Sequence, residues 1–499
     1  MSSTDSSSFV FPTVRSVFRS PALLRVEVLA GLVVAIALIP EAISFSIIAG
    51  VPPQVGLFAS FTMAVTIAFT GGRPAMISAA TGAVALVVAP VSREHGMDYL
   101  VATVLLAGVF QVVLSLAGLT KLMRFVPRSV MVGFVNALAI LIFLAQLPQL
   151  VHVPWAVYAM VAVGVGAMLV LPRFTQLVPA PLVVIVVLTG VCAGFSIRVP
   201  TVGDQGALPS GLPVPGLPHV PLTLATLQII APYALATALV GLLESMMTAK
   251  LVDDITDTHS DKVREGWGQG VANLVTGMFG GMGGCAMIGQ TMINVRVSGA
   301  RTRVSTFLAG AFLLVLVVAL RDVVGQIPMA ALVAVMIIVS VKTLDWHSVN
   351  PKVLRRMPIP ETFVMVSTVA VTVATGDLAY GVIVGVLVAM VMFARRVAHL
   401  TEVVDVAHPD EDTRVYAVRG ELFFASSNDL ATQFDYTGDP HNIVIDMSEA
   451  HIWDLSSVAA LDAITAKYQA KGKNVRIVGL NQPSQERHAS LSPLVGGGE

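Results

Sequence analysis

GGMGGCAMIGQT, Gly280 to Thr291, sets five glycines within twelve residues in the middle of a chain that otherwise reads as apolar helix. The chain around it has 499 residues, of which 55% are hydrophobic and only 12% charged, a composition that cannot make an ordinary aqueous surface. Glycine clusters break helices, and non-helical backbone at membrane depth survives only where protein buries it or where it lines a polar cavity. The stretch therefore reads as a deliberate interruption. A half-helix that starts at the membrane midplane presents unpaired N–H groups and the positive end of its dipole, which together hold an anion without a full positive charge. The alternative is close helix packing through small residues.

A partner stretch occurs in the first half of the chain: GGRPAMISAATGA, Gly71 to Ala83, is Gly-rich, is broken by Pro74 and carries the same Ala-Met-Ile triplet. Met76 and Met287 are 211 positions apart, and two carboxylates set in apolar helices, Glu41 in ALIPEAISF and Glu244 in LVGLLESMMT, are 203 apart. So similar an offset points to an internal repeat. Apolar runs long enough to span a hydrocarbon core about 30 Å thick fall near 27–48, 55–71, 76–91, 99–119, 128–147, 154–171 and 180–198. After a Pro- and Gly-rich break they resume near 225–250, 264–280, 285–298, 304–320, 326–341, 361–376 and 378–394. Seven spans per repeat is odd, so the two copies run in opposite directions, with the third and tenth spans as the half-helices.

Lysine and arginine collect on one set of flanks (Arg15, Arg73, Arg128, Arg173, Lys262, Arg301, Arg303, Lys352, Arg395 among them), while the other set holds only Arg93, Arg198 and Arg321. One missed span would swap the sides downstream, so this bias supports fourteen spans with both ends cytoplasmic, in the plasma (inner) membrane. The domain plan follows: residues 1–26 as a cytoplasmic N-terminus, 27–397 as the membrane domain (repeats 27–198 and 225–394), 398–412 as a linker and 413–499 as a soluble α/β domain with its tail. In that last segment TRVYAVRGELFFA, NIVIDMS and NVRIVGL read as strands and SSVAALDAITAKYQAKG as an amphipathic helix.

A net charge of −1 with no basic tract excludes nucleic acid as a partner. The chain shows no phosphate-binding loop, no Ser-His-Asp arrangement and no metal-spaced His/Cys cluster, so neither enzyme chemistry nor a cofactor or metal is expected. Its two cysteines, Cys192 and Cys285, lie in apolar stretches. Carboxylates are costly in the membrane and tend to hold a proton there. Glu41 and Glu244 are thus candidate proton carriers, with Thr248 one turn beyond Glu244 on the same face.

GLVVAIALIPEAISFSIIAGVPPQVGLF (Gly31–Phe58), GGRPAMISAATGA, GLLESMMTAKLVDD and NVRVSGARTR together resemble the sulfate permease family of anion transporters over almost the whole chain. The resemblance implies a uracil-permease-like fold of two inverted seven-helix repeats sorted into a core and a gate. It also implies a cytoplasmic STAS domain, a homodimer set in membrane lipid, and a small anion as substrate. Its implied binding residues are Glu41, Ser78, Ala80, Thr81, Gly82, Ala286, Met287, Ile288, Gly289, Gln290 and Thr291. The coupling ion falls to Glu244, Thr248 and Glu41. Where many members carry Gln in the first span and Arg in the tenth, this chain has Glu41 and Gln290-Thr291. A fixed cation is missing and carboxylates are added, which predicts proton-coupled symport of a dicarboxylate, bicarbonate or sulfate by alternating access. Sodium coupling, anion exchange, an uncoupled channel and a sensor role for the tail are the alternatives. DMSEAHIWDLSS (Asp446–Ser457) resembles the strand-to-helix turn at which anti-sigma-factor antagonists are phosphorylated. Ser456 is the nearest regulatory candidate there, unless Ser456 or Asp454 simply caps the helix.

Overall fold

The computed structural model describes residues 13–122, 126–174, 179–221, 223–398, 402–410 and 412–495. Residues 1–12 of the expected N-terminus, 399–401 and 411 of the expected linker and 496–499 of the tail lie outside them. Contacts divide the chain into two units, Met1–Val386 and Leu387–Glu499.

Among the described residues, all fourteen expected spans are helical. The first repeat contains α1 (Pro21–Ala49), α2 (Pro53–Thr70), strand β1 (Ser78–Ala79), α3 (Gly82–His95), α4 (Met97–Leu116), α5 (Arg128–Leu144), α6 (Trp155–Val170) and α7 (Ala180–Gly194). The second contains α8 (Leu224–Thr256), α9 (Lys262–Met278), strand β2 (Cys285–Ala286), α10 (Ile288–Met292, continued as a π-helical turn to Val297), α11 (Arg303–Ala319), α12 (Met329–Thr343), α13 (Ile359–Thr375) and α14 (Leu378–Ala398). Two expected boundaries shift for one reason. The third and tenth spans, read as 76–91 and 285–298, begin their helices only at Gly82 and Ile288, because the residues before them form strand.

Strands β1 and β2 pair antiparallel, Ser78 opposite Ala286 and Ala79 opposite Cys285. A local two-fold of such a pair passes through opposed residues, and so relates Ser78 to Ala286 or Ala79 to Cys285. The shared Ala-Met-Ile triplet does not mark equivalent positions, since the first copy (75–77) precedes its strand and the second (286–288) begins inside it. The helix packing follows the same symmetry. Helix α4 lies on α8 and α9, while α11 lies on α1 and α2; α5 packs on α12 and α13, and α6 on α12.

Lipid tails give apolar helices little reason to associate, so the interior crossings rely on small residues and short polar groups. At the α4–α9 crossing, Gly108 and Gly270 bring backbone onto backbone: a Cβ on Gly270 would lie 2.7 Å from the Gly108 carbonyl oxygen, and one on Gly108 would lie 2.8 Å from that of Gly270. Helix α1 ends at Gly50 in the left-handed conformation (φ 75°), which turns the chain directly into α2. At the start of α11, the buried carboxylate of Glu27 accepts the N–H groups of Arg301 (2.8 Å), Thr302 (3.0 Å) and Ser305 (3.0 Å), closing the helix end from another span.

The second unit is a four-stranded sheet in the order β3 (Glu402–Asp410), β4 (Thr413–Leu422), β5 (Asn442–Ile452), β6 (Asn474–Val478). The β3–β4 pair is antiparallel and the other two pairs are parallel. Helices α15 (Phe424–Leu430), α16 (Leu455–Gln469) and α17 (Gln482–Val495) accompany it. The stretch 398–412, read above as a linker, is corrected here. It supplies β3, whose polar and proline-containing sequence fits an edge strand with one neighbour better than any apolar pattern does. Residues of α16 and the sheet share one core containing Ile445, Met447, Leu461 and Tyr468. Within it Asp439, fully buried, accepts from Arg414 (2.6 Å) and the hydroxyls of Tyr416 (2.9 Å) and Tyr468 (2.5 Å). Burial, reinforced by Asp439, pushes the Tyr416 phenol up to about 12.

Gly270→Ala should cost about 1–3 kcal/mol, because the added methyl displaces backbone at the α4–α9 crossing. Gly190→Ala in α7, where nothing lies within 4 Å of the added carbon, should be neutral or stabilising by up to about 1 kcal/mol through helix propensity. Thermal unfolding in detergent checks the pair; equal effects would mean that the crossing is not tightly packed.

Candidate functional site

The site begins with two bends that helix cannot make. After α2 the chain turns at Gly71–Ala75 into β1, and after α9 it turns at Phe279–Gly284 into β2. Gly283 sits at φ 79°, a conformation that favours glycine. Gly284 comes so close to Ala79 that a Cβ would collide with its carbonyl. Past the strands, Met287 donates its N–H to the Ile77 carbonyl (2.8 Å), and the Thr291 hydroxyl accepts from the Ile77 N–H (3.0 Å). The starts of α3 and α10 are thus carried on the two ends of one small strand pair.

This irregular backbone needs partners, and α9 supplies most of them. Glu265, Gln269, Asn273 and Thr276 form a fully buried polar stripe at helical spacing. Glu265 accepts the N–H groups of Gly72 (2.7 Å) and Arg73 (2.9 Å). Gln269 donates to Ser78 Oγ (2.7 Å) and to Glu265 (2.8 Å). Asn273 holds Gly284 from both sides, accepting its N–H (2.9 Å) and donating to its carbonyl (3.0 Å), and it also donates to Gln111 on α4 (2.9 Å). Thr276 meets Thr62 of α2 at 2.8 Å. Sequence reasoning missed this stripe. Its signal was present in EGWGQGVANLVT, where polar residues recur at i, i+4, i+8 and i+11.

The two intramembrane carboxylates each face the other repeat's half-helix. Glu41, half-buried and next to Pro40 within α1, faces the side chain of Gln290 on α10. The Gln290 Oε1 is buried without a partner. Glu244, 8% exposed on α8, accepts from the Cys285 thiol at 2.9 Å, and Cys285 Sγ lies 3.1 Å from the Thr81 hydroxyl that caps α3. A carboxylate, a thiol and a helix cap are therefore linked in one chain across the repeat interface.

The anticipated binding residues divide into two groups. Ser78, Ala80, Ala286 and Thr291 are fully engaged in holding backbone: Ala80 N–H goes to Ser60 Oγ (3.2 Å), Ala286 N–H to Ser245 Oγ (3.2 Å), and Ser78 and Thr291 bond as described. Thr248 turns its hydroxyl to the Glu244 carbonyl (2.8 Å). Glu41, Thr81, Gly82, Met287, Ile288, Gly289, Gln290 and Glu244 surround the half-helix starts. The two starts differ. A Cβ on Gly82 would meet Phe45 and Ile142 at 2.9–3.0 Å, whereas Gly289 is exposed with nothing within 4 Å. In the second unit Asp454 is the cap of α16, accepting the Ser457 N–H at 3.0 Å, and Ser456 is exposed on the first turn.

The chain matches the sulfate permease family over residues 24–163 and 155–368, and the STAS domain over 404–492. It is 53% identical to the putative sulfate transporter YbaR of Bacillus subtilis, over 93% of this chain and 96% of that one. It is 24% identical to the bicarbonate transporter BicA of Picosynechococcus, covering 94% and 91%. Among solved structures, it superimposes on murine Slc26a9, an anion transporter in its inward-facing state, with a TM-score of 0.80 at 17% identity over 94% and 87% of the two chains. On the transmembrane domain of a cyanobacterial BicA the TM-score is 0.65 at 25% identity, over 74% and 97%.

In a Cys192→Ala background, Gly289→Cys should be modified readily by a small water-soluble thiol reagent, while Cys285, buried against Glu244 and Thr81, should stay protected in the folded protein. Mass spectrometry of the labelled peptides reads both. Rapid labelling of Cys285, or an inert new thiol, would contradict the geometry.

Proposed function

Because the chain belongs to the sulfate permease family, a membrane-integral family of anion carriers, we propose that it imports a small oxyanion of the sulfate and bicarbonate class together with protons, by alternating access. The reading is carried by one observation: a carboxylate, Glu244, stands between the half-helices with a thiol as its hydrogen-bond donor and no cationic partner. An anion entering between two helix N-termini meets roughly half a positive charge from each. A further ionised carboxylate beside it would oppose binding, so uptake of a proton by Glu244 favours uptake of the anion. Release of one on the far side favours release of the other.

Core and gate assignments follow from the packing. Helices α1–α4 and α8–α11 surround the strand pair, and α5–α7 with α12–α14 stand outside it. Ile142 of α5 closes against Gly82 while Gly289 is open, as expected of a carrier caught with one side accessible. A cavity of about 640 Å³ lies between α3 and α8 on one side and the α13–α14 junction on the other. Its lining includes His95, Gln228, Tyr233, Asp377 and Tyr380 and reaches Leu239, about 7.5 Å along α8 from Glu244. It supplies a path between core and gate. The protein sits in the inner membrane with both ends and the STAS domain in the cytoplasm, consistent with the lysine and arginine bias of its flanks. Ser456 remains the candidate for regulation by phosphorylation, since a phosphate on the first turn of α16 is accessible and lies near a helix N-terminus.

In proteoliposomes, an inward proton gradient should accelerate uptake of labelled sulfate or bicarbonate, each pH unit contributing up to about tenfold accumulation per coupled proton. Glu244→Gln, a mimic of the protonated form, should retain anion binding and lose that accumulation. Proton-driven uptake at the wild-type rate in well-folded Glu244→Gln would transfer the role to Glu41. Uptake indifferent to pH but stimulated by anion inside would establish an exchanger.

Adding a cation tests the same electrostatics from the other side. Gln290→Arg should flatten the pH dependence of uptake, because a fixed charge beside Glu41 replaces part of what protonation supplies; an unchanged profile would show that residue 290 does not face the anion.

A further inference from the structure

A second cavity, of about 240 Å³, lies at the opposite end of α8 from the one between core and gate. It is bounded by the loop entering β1, the end of α8 and the α10–α11 junction. Its polar lining consists of Arg73, Thr256, Thr258, His259 and Arg301, and no carboxylate lines it. We infer that this cavity is a binding site for a tetrahedral oxyanion, separate from the site between the half-helices and independent of which anion is carried.

Arg73 is the first argument. It is only 8% exposed, and its guanidinium is held by Thr256, by Thr258 (2.7 Å) and by Asp253 (3.1 Å). Its Nε remains buried without a partner, and a buried guanidinium donor left unsatisfied is costly enough to call for a ligand. Arg301 is the second. Its Nη1 donates to the carbonyls of Val295 (2.6 Å) and Ala300 (2.8 Å), which fix the group and bring no neutralising charge. The two guanidiniums are close enough to repel each other.

Local carboxylates offset this charge at Arg73, and they are shared or bonded elsewhere. Asp253 is shared between Arg73 and Lys262 (2.6 Å). Glu265 and Glu27 are turned to backbone N–H groups, Glu265 to Gly72 and Arg73, Glu27 to the start of α11. An anion with several acceptor oxygens satisfies Arg73 and relieves the repulsion at once, and guanidinium geometry suits sulfate or phosphate oxygens in particular.

The cavity is not an extension of the central site. Ala75, Val252 and Val295 form an apolar cluster beside it, and Met76, Ala249 and Ala286 form another closer to β2. Val252 is eight residues past Glu244, about 12 Å along the helix. The volume accommodates a sulfate or phosphate group with water, by comparison with the roughly 30 Å³ a water molecule occupies in the liquid. The lining comes from the loop before β1, from α8 and from the turn after α10, the segments that carry the two half-helices and Glu244. A bound oxyanion ties them together.

The test is thermal unfolding of the purified full chain in a neutral detergent, titrated with sulfate or inorganic phosphate at constant ionic strength. A saturable rise in the unfolding temperature is expected. Its apparent Kd should rise at least tenfold in Arg301→Gln and in His259→Glu, the latter an exposed position that leaves folding intact. Nanodiscs with and without phosphatidylglycerol separate the sources of the oxyanion: lipid-dependent stabilisation that Arg301→Gln abolishes assigns the site to a headgroup phosphate instead of a free ion. Absence of saturable stabilisation by either source, or saturable stabilisation with an unchanged Kd in Arg301→Gln, overturns the proposal.

Discussion

Everything in the membrane unit depends on satisfying two short pieces of non-helical backbone where no water or lipid group can do so. An unpaired N–H or C=O in hydrocarbon costs several kcal/mol, so half-helices cannot exist without an internal source of hydrogen bonds. The strand pair satisfies part of each piece with the other. The stripe Glu265–Gln269–Asn273 on α9 satisfies most of the rest, reaching Gly72, Arg73, Ser78 and Gly284. Such a stripe is expensive to bury, and it is tolerated because each member has more than one partner. With these supports in place, the starts of α3 and α10 can stand in the membrane interior.

The inverted repeat then has a consequence for charge. Because β1 and β2 pair across the two-fold, each half-helix start lies against spans of the other copy. Glu41 of the first repeat meets Gln290 of the second, and Glu244 of the second reaches Thr81 of the first through Cys285. A proton gained or lost on either carboxylate is felt at the start of the other repeat's half-helix. Each carboxylate thus stands one or two side chains from that start. The equivalence is incomplete: a thiol serves one carboxylate and an amide the other, and one helix start is closed by Ile142 while the other is open.

Much of this was legible in the sequence. Hydropathy and punctuation gave fourteen spans because apolar length is a one-dimensional property. Glycines, with Pro74 in the first copy, marked both half-helices because broken backbone at that depth must be buried or line a cavity. What escaped depends on contacts far apart in the chain. Glu265 falls inside the ninth apolar run, and nothing local says that its carboxylate belongs to Gly72 and Arg73, some 190 residues earlier. Thr291 and Ser78 have the residue types of a binding site, yet their hydroxyls are engaged with Ile77 and Gln269. The Ala-Met-Ile triplet suggested a register that the strand pairing does not follow. Strand β3 escaped for a different reason: an edge strand with a polar, proline-containing sequence lacks the alternation by which β4 and β5 were read.

The same supports make the core resist internal displacement. From Arg73 the bonds run through its own N–H to Glu265, then to Gln269 and Ser78, just ahead of the Thr81 cap of α3. On the other side Asn294 of the π-helical turn donates to the Ala75 carbonyl (2.8 Å) and to Ser305 of α11 (3.0 Å), and Thr306 donates to the Met76 carbonyl (3.2 Å). Both half-helices are therefore bonded to the same short loop, residues 72–77. A displacement of one that left the other in place would break several buried hydrogen bonds, each costing about 1–3 kcal/mol when a group is left unpaired. Moving the whole core past α5 and α12 exchanges apolar contacts for similar ones and leaves this network whole. The low-cost displacement is the rigid one.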